Sequence, residues 1–103
     1  MPYIIGTMQY PSHRQADTVK TYLKIRDKYP PDDSLYENLG SPVKTTEKGV
    51  KVMTIWNVKE GKLEKAMNLV SRFYFEFINV EGLEYTIEVW LTFEEAAGIA
   101  EIE

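Results

Sequence analysis

The chain has 103 residues, no cysteine, and 16 acidic against 12 basic side chains, for a net charge of −4. This length predicts a single domain, residues 1–103, with a core over 3–93 and a short acidic tail over 94–103. The absence of cysteine excludes disulfides, thiolate catalysis and cysteine metal sites. The negative charge argues against nucleic-acid and anionic-membrane partners.

The first two elements are predicted to be a strand and a helix. Residues 3–10 alternate in polarity, and Pro11 ends that strand. Residues 12–15, from Ser12 to Gln15, match the spacing of a capping box for a helix that continues over 14–29. Pro30 ends this helix, because the residue before a proline avoids the helical conformation.

The middle of the chain predicts a hairpin of two strands. Residues 35–46 and 49–58 are separated by a tight turn that ends at Gly49. Gly40 and Pro42 weaken the first of these strands and suit it to the edge of a sheet.

A second helix and a last strand complete the pattern. Residues 62–79 carry apolar side chains at three- and four-residue steps, and Gly82 follows as a stop. Residues 83–93 alternate almost perfectly, and residues 94–103 predict at most one helical turn. The resulting order is strand, helix, strand, strand, helix, strand. This order predicts the α+β, ferredoxin-like fold, with a four-stranded antiparallel sheet covered on one face by two helices.

The second face of this sheet is unusually apolar. Two helices cover only one face, so Trp90 and either Trp56 or the pair Met53 and Ile55 are expected on the uncovered side. Apolar patches of this kind mark interfaces or ligand sites, and the sequence predicts a homodimer through the sheet face. The alternative is an open, solvated face on which Trp90 is a scattered exposed residue.

The chain resembles the dimeric α+β barrel superfamily, as a small uncharacterised member. The features that carry the resemblance are the glycine-turn hairpin before 50–58, the Lys-Glu-Gly-Lys sequence at 59–62, and the strand 83–93 with its Glu-Glu-Ala tail. In that superfamily two ferredoxin-like subunits pack their sheets together, and small molecules often bind between the sheet and the helices. Its members include cofactor-free monooxygenases, isomerases, haem-degrading enzymes and proteins without an assigned activity, so the resemblance implies a pocket and a dimer but no reaction.

Three residues are candidate catalytic groups. His13 is the single histidine and follows the first strand, with Tyr10 near it, so it can act as an acid or base at neutral pH. Glu88 in the last strand could act as a lone base in an apolar pocket, where burial raises a carboxyl pKa. The simpler interpretations are a half-exposed histidine in the first turn of a helix and a surface charge on a strand.

Five residues are candidate ligand contacts. Trp56, Tyr85 and Trp90 could form aromatic walls, with Gln9 and Arg72 as polar anchors. The alternative for the aromatic residues is a role in the core or in the dimer interface. An ion pair with Glu76, four residues further on, is the ordinary explanation for Arg72.

Neither a cofactor nor a metal is expected, because a single histidine without cysteine gives no metal-ligand spacing and His13 is the one imidazole available to haem. Without a predicted signal peptide or membrane span, the expected location is cytoplasmic.

The favoured function is binding of a small apolar or aromatic molecule, as in a cofactor-free monooxygenase or isomerase. The alternative is a non-catalytic ligand-sensing or protein-interaction module. An RNA-binding domain is disfavoured because the strand at 50–58 lacks paired aromatic residues.

Overall fold

The computed structural model describes the backbone of residues 1–102 and the side chains of residues 1–98, so the last side chains of the expected acidic tail lie outside the described residues. Its elements follow the chain in the order β1 (Tyr3–Tyr10), α1 (Gln15–Lys28), β2 (Tyr36–Gly40), β3 (Val43–Thr46), β4 (Gly49–Val58), α2 (Leu63–Phe75), β5 (Glu84–Trp90) and α3 (Phe93–Ile102). A short 3₁₀ helix, Ser12–Arg14, precedes α1.

The sheet is antiparallel, with strand order β2-β4-β1-β5, and β3 extends it by pairing with β4. The first strand, β1, is central: Ile5 lies between Ile55 of β4 and Glu88 of β5. This order is the one that the strand-helix-strand repeat of the sequence predicts, and the ferredoxin-like fold is therefore confirmed.

The predicted strand over 35–46 is wrong in one respect, because the chain forms two strands there. Gly40 adopts a φ of +135°, and the pairing with β4 shifts register between Asn38 and Gly40. The Asn38 side chain accepts a hydrogen bond from the Gly40 N–H at 2.8 Å, which fixes the irregularity locally. The chain then resumes pairing as β3, and the sheet gains a fifth strand.

The ends of the helices also differ from the prediction. The capping box at Ser12 is wrong: Pro11 precedes the 3₁₀ helix, α1 begins at Gln15, and neither helix start has a side-chain cap. A capping box does occur before α3, where Thr92 and Glu95 bond each other's backbone N–H groups. This Thr-x-x-Glu spacing explains why the tail forms a ten-residue helix instead of one turn.

The core lies between the helices and one sheet face. On β1 every second residue is buried, from Ile4 to Tyr10, because side chains alternate along a strand. Helix α2 buries Ala66, Val70 and Tyr74 against this face. Helix α1 buries only Thr18 and Ile25. The two helices therefore cover the sheet unequally, and space remains beneath α1.

Within the described residues, every helix is too short or too polar to cross a membrane.

Candidate functional site

A cavity of about 380 Å³ lies between the sheet, α1 and α2. Pockets of this size hold small organic molecules. The sheet contributes Met8, Tyr10, Val52, Thr54 and Trp56 to its walls. Helix α2 contributes Leu69, Val70, Phe73 and Tyr74, and the turn after it contributes Phe77. Most of the lining is aromatic or aliphatic, so the cavity favours an apolar occupant.

One face of α1 forms the remaining wall. Four of its residues follow one another at three- and four-residue steps, the spacing that keeps side chains on one side of a helix: Gln15, Val19, Tyr22 and Arg26. Tyr29, directly after the last residue of α1, continues this row. Val19 and Tyr22 are each 43% exposed although they face the cavity. Helix α1 therefore borders an open cavity and does not close it.

A row of hydroxyl groups extends from the core to the surface. The phenol of Tyr74 lies close to the Thr54 hydroxyl, and the Thr54 and Ser41 hydroxyl oxygens are 2.9 Å apart. Tyr74 is buried and Ser41 is exposed. Burial raises the pKa of Tyr74 to about 12, although the hydrogen bond to Thr54 partly opposes this shift. Tyr74 is therefore a neutral phenol at physiological pH.

Two further phenols are held in the neutral form. Burial raises the pKa of Tyr10, whose hydroxyl donates to the Gln15 side-chain oxygen. Burial is also the main cause that raises the pKa of Tyr36, in the sheet wall. The polar groups of the cavity are thus suited to hydrogen bonding with a hydroxyl or carbonyl group.

Aromatic contacts make the sheet side of the cavity stiff. The Trp56 ring packs between Tyr36 and Tyr74, with centroid distances of 6.1 and 6.2 Å. Tyr85 stacks on Tyr74 at 5.3 Å with an interplanar angle of 20°. Because each ring is held by another, this wall offers a preformed surface to a flat ligand.

Charge is confined to the mouth of the cavity. Among the described residues that line it, Arg26 is the one charged side chain, and it is exposed. The part of the chain that the structure describes contains no group of three histidine or carboxylate side chains close enough to share a metal ion.

The sequence-predicted site residues fall into separate groups. Tyr10 and Trp56 line the cavity. Tyr85 lies behind its wall, against Tyr74. Gln9 and Glu88 belong to the opposite sheet face, because their neighbours in β1 and β5 alternate with them toward the core.

The other predicted residues lie away from the cavity lining. Trp90 pairs with Tyr3 on the opposite sheet face and is 53% exposed. His13 is exposed in the 3₁₀ helix, and Arg72 is exposed on α2. The expected Arg72–Glu76 pair is replaced by a 2.7 Å salt bridge between Glu76 and Lys28.

Sequence reasoning missed Arg26, Ser41 and Thr54 as candidate ligand contacts. Thr54 resembles any threonine in a strand, and Ser41 lies in the interruption between β2 and β3. Only Arg26 had a detectable signal, since it shares one helical stripe with Tyr22 and Tyr29.

The sheet face opposite the helices forms a second surface, which we call the open face. Its centre is apolar, with Ile5 beside Ile55 and Tyr3 beside Trp90. Charges flank this centre on both sides: Glu84 and Glu88 on β5, and on the other side Lys51 on β4, Lys44 on β3 and Glu37 on β2. The open face therefore combines an apolar centre with an acidic β5 side and an opposite side on which β3 and β4 are basic and β2 carries one acidic residue.

Comparison with known proteins gives distant likenesses only. No protein-family model matches the sequence, and no curated protein is detectably related to it. One similar solved structure is a dimeric ferredoxin-like protein from an uncultured marine organism, with 7% identity, a TM-score of 0.45, and coverage of 88% of this chain and 89% of the other. Another is a NIPSNAP family protein of unknown function from Agrobacterium tumefaciens, with 14% identity, a TM-score of 0.45, and coverage of 89% and 90%. The fold assignment depends on the strand order described above.

Proposed function

We propose that this protein binds a small, largely apolar molecule in the cavity between the helices and the sheet. The observation that carries the proposal is the cavity itself, about 380 Å³ with aromatic and aliphatic walls. Such walls supply most of the affinity for an organic ligand, and a few polar groups set its orientation. An aromatic ring suits the stiff wall formed by Trp56 and its neighbours.

The polar groups of the cavity support a ligand with a hydroxyl or carbonyl group. Thr54, Ser41 and Asn38 present neutral hydrogen-bonding groups on one side of the cavity. Tyr10 and Gln15 present another pair across it. A ligand group that bonds either set avoids the cost of leaving these polar groups unpaired on binding.

A cofactor-free isomerase or monooxygenase is the second candidate function. The hydroxyl row from Tyr74 through Thr54 to Ser41 favours it, because a neutral phenol can polarise a substrate carbonyl. A base that titrates near neutral pH is missing from the described lining residues, and this favours binding over proton abstraction. Conversion of a bound carbonyl compound by the purified protein would decide for the enzyme.

The binding proposal is tested by filling the cavity from α1. Val19→Trp places a large side chain on the cavity face, whereas Leu23→Trp adds the same side chain to the same helix outside the lining. The two positions are matched, with exposures of 43% and 44%. Titration calorimetry with 2-naphthamide, a neutral flat probe, is expected to give binding to the wild type and to Leu23→Trp but not to Val19→Trp.

Two outcomes contradict the proposal. One is the absence of probe binding to the wild-type protein, and the other is equal binding to Val19→Trp and Leu23→Trp. Circular dichroism of each variant separates a filled cavity from a lost fold.

We also propose that the protein forms a homodimer through the open face. Charge complementarity supports a second copy as the partner, because a two-fold axis parallel to the strands places the acidic β5 side of one copy over the basic β3–β4 side of the other. In that arrangement Glu84 approaches Lys44 of the second copy, and Ile5 packs on Ile55. Two alternatives, a protein-interaction module and an open solvated face, correspond to a monomer in solution. The cytoplasmic location stays a prediction.

A further inference from the structure

We infer that the cavity selects ligands that carry a carboxylate, held at the mouth by Arg26, with the apolar body of the ligand inside. This inference rests on the proposed binding function and specifies the chemical class of its ligand, a small apolar or aromatic monocarboxylic acid.

The position of Arg26 on α1 is the first step. It follows Tyr22 by four residues and precedes Tyr29 by three, and all three side chains line the cavity. Residues at these spacings share one helix face. Arg26 is exposed and lies on the cavity side of α1 between Tyr22 and Tyr29, at the boundary between the apolar cavity and solvent.

The second step is that Arg26 has no carboxylate partner among the described residues. The salt bridges there involve the N-terminus, Arg14 and Lys28, and Lys28 occupies the nearby Glu76. The described cavity lining contains no acidic residue. The guanidinium therefore retains its donors, which match the two oxygens of a carboxylate in a fork geometry.

The third step concerns where a charge can be placed. A carboxylate deep in the cavity would lose its hydration among neutral groups, at a cost that hydroxyls compensate poorly. At the mouth the carboxylate stays partly hydrated and forms an ion pair with the Arg26 guanidinium. A ligand with one acidic end consequently binds with that end at Arg26 and its apolar part against the aromatic wall.

A helix-dipole role alone does not account for this placement. Arg26 is in the last turn of α1, where any positive side chain stabilises the helix. Lys28 occupies the same turn and is directed to Glu76, the residue that follows α2. The dipole explains the charge of Arg26 but not its location in the cavity lining.

The test compares 2-naphthoate with 2-naphthamide, two probes of similar shape that differ in charge. Calorimetry of the wild type is expected to give naphthoate about tenfold tighter binding than naphthamide, the size of a charge-assisted hydrogen bond at a partly hydrated site. Arg26→Gln should remove most of this preference, so that the two probes bind this variant with nearly equal affinity. Arg72→Gln, a matched change of an exposed arginine outside the lining, should retain the preference.

The possible outcomes separate this inference from the proposed function. Equal binding of the two probes to the wild type, or a preference that survives Arg26→Gln, overturns the carboxylate inference while the cavity remains a binding site. A failure of both probes to bind the wild type overturns the proposed function as well. If Arg72→Gln loses the preference for naphthoate as much as Arg26→Gln does, the preference comes from the overall charge of the protein. This result would also overturn the inference.

Discussion

Gly6 shows how a single residue shapes the cavity wall. It lies in the central strand directly under the Tyr74 ring, and a Cβ at this position would be 2.6 Å from Tyr74 Cζ. The absence of a side chain lets the ring lie flat enough to reach Thr54 and to stack on Tyr85. The position of the hydroxyl row thus depends on a glycine that contributes no contact of its own.

Gly6→Ala is expected to destabilise the protein by about 1–3 kcal/mol, because the new methyl group forces the Tyr74 ring away from the strand. Urea unfolding followed by circular dichroism measures the change. Gly98→Ala is the control, since a Cβ there meets no atom within 4 Å. Equal stabilities of the two variants would contradict the close packing of Tyr74 on β1.

Tyr74 also predicts a pH dependence. Its native pKa of about 12 exceeds the ordinary value of 10.0, so below pH 10 both folded and unfolded states hold the proton and its contribution to stability is complete. Between pH 10 and 12 only the unfolded state loses this proton, and the free energy of unfolding falls by about 1.4 kcal/mol per pH unit. In Tyr74→Phe the contribution of this one proton is removed, so the free energy of unfolding should fall less steeply between pH 10 and 12. Urea unfolding at several pH values measures this difference.

A slope unchanged in Tyr74→Phe would show that this phenol titrates normally. Tyr10 and Tyr36 have raised pKa values too, and their contributions have the same sign. The comparison with the variant therefore isolates the contribution of Tyr74.

At the scale of elements, the two helices differ in how firmly they are packed. Helix α2 contributes Ala66, Val70 and Tyr74 to the core cluster, whereas α1 contributes Ile25 alone. Local stability follows the apolar contacts that an element makes. Helix α1 is therefore the element that a ligand in the cavity would stabilise most.

Amide hydrogen exchange is expected to be faster in α1 than in α2 for the protein without ligand. Addition of 2-naphthamide should slow exchange in α1, because the occupied cavity supplies the contacts that this helix lacks. Equal protection of both helices without ligand would contradict the unequal packing.

The elements were largely predictable from the sequence, and the failures have local causes. Alternation in β1 and the helical spacing in α2 are repeated over many residues, so the sequence identified both. The division of the 35–46 segment depends on the φ of Gly40 and a side-chain bond from Asn38, which periodicity does not detect. For the site, Tyr10 and Trp56 were predicted as candidates and line the cavity, while Thr54 was missed because its role depends on the position of Tyr74.

The whole molecule leaves one sheet face uncovered. Trp90 and Met53 are 53% and 39% exposed there, next to the intermediate Ile5 and Ile55. Contiguous apolar surface of this kind is uncommon on a monomer. Glu84 and Lys51 lie on different sides of its centre, which is the charge distribution that the proposed dimer uses.

Trp90→Glu is expected to abolish the proposed dimer, because the two-fold arrangement places this end of β5 over β2 of the second copy, where the new carboxylate would face Glu37. Sedimentation velocity measures the change in mass from twice 12.0 kDa to 12.0 kDa. Phe75→Glu is the control, since Phe75 is 60% exposed on α2 and far in the fold from the open face. A wild-type protein that sediments as a monomer would contradict the dimer.

The two tryptophans provide the most direct test of the binding cavity, because Trp56 lines it and Trp90 lies on the opposite sheet face. In a ¹H–¹⁵N spectrum each indole N–H gives one signal, assigned with Trp90→Phe. Titration with 2-naphthamide is predicted to shift the Trp56 signal and leave that of Trp90 in place. A Trp56 signal that stays fixed while Trp90 moves would place binding on the open face and contradict a ligand site between the helices and the sheet.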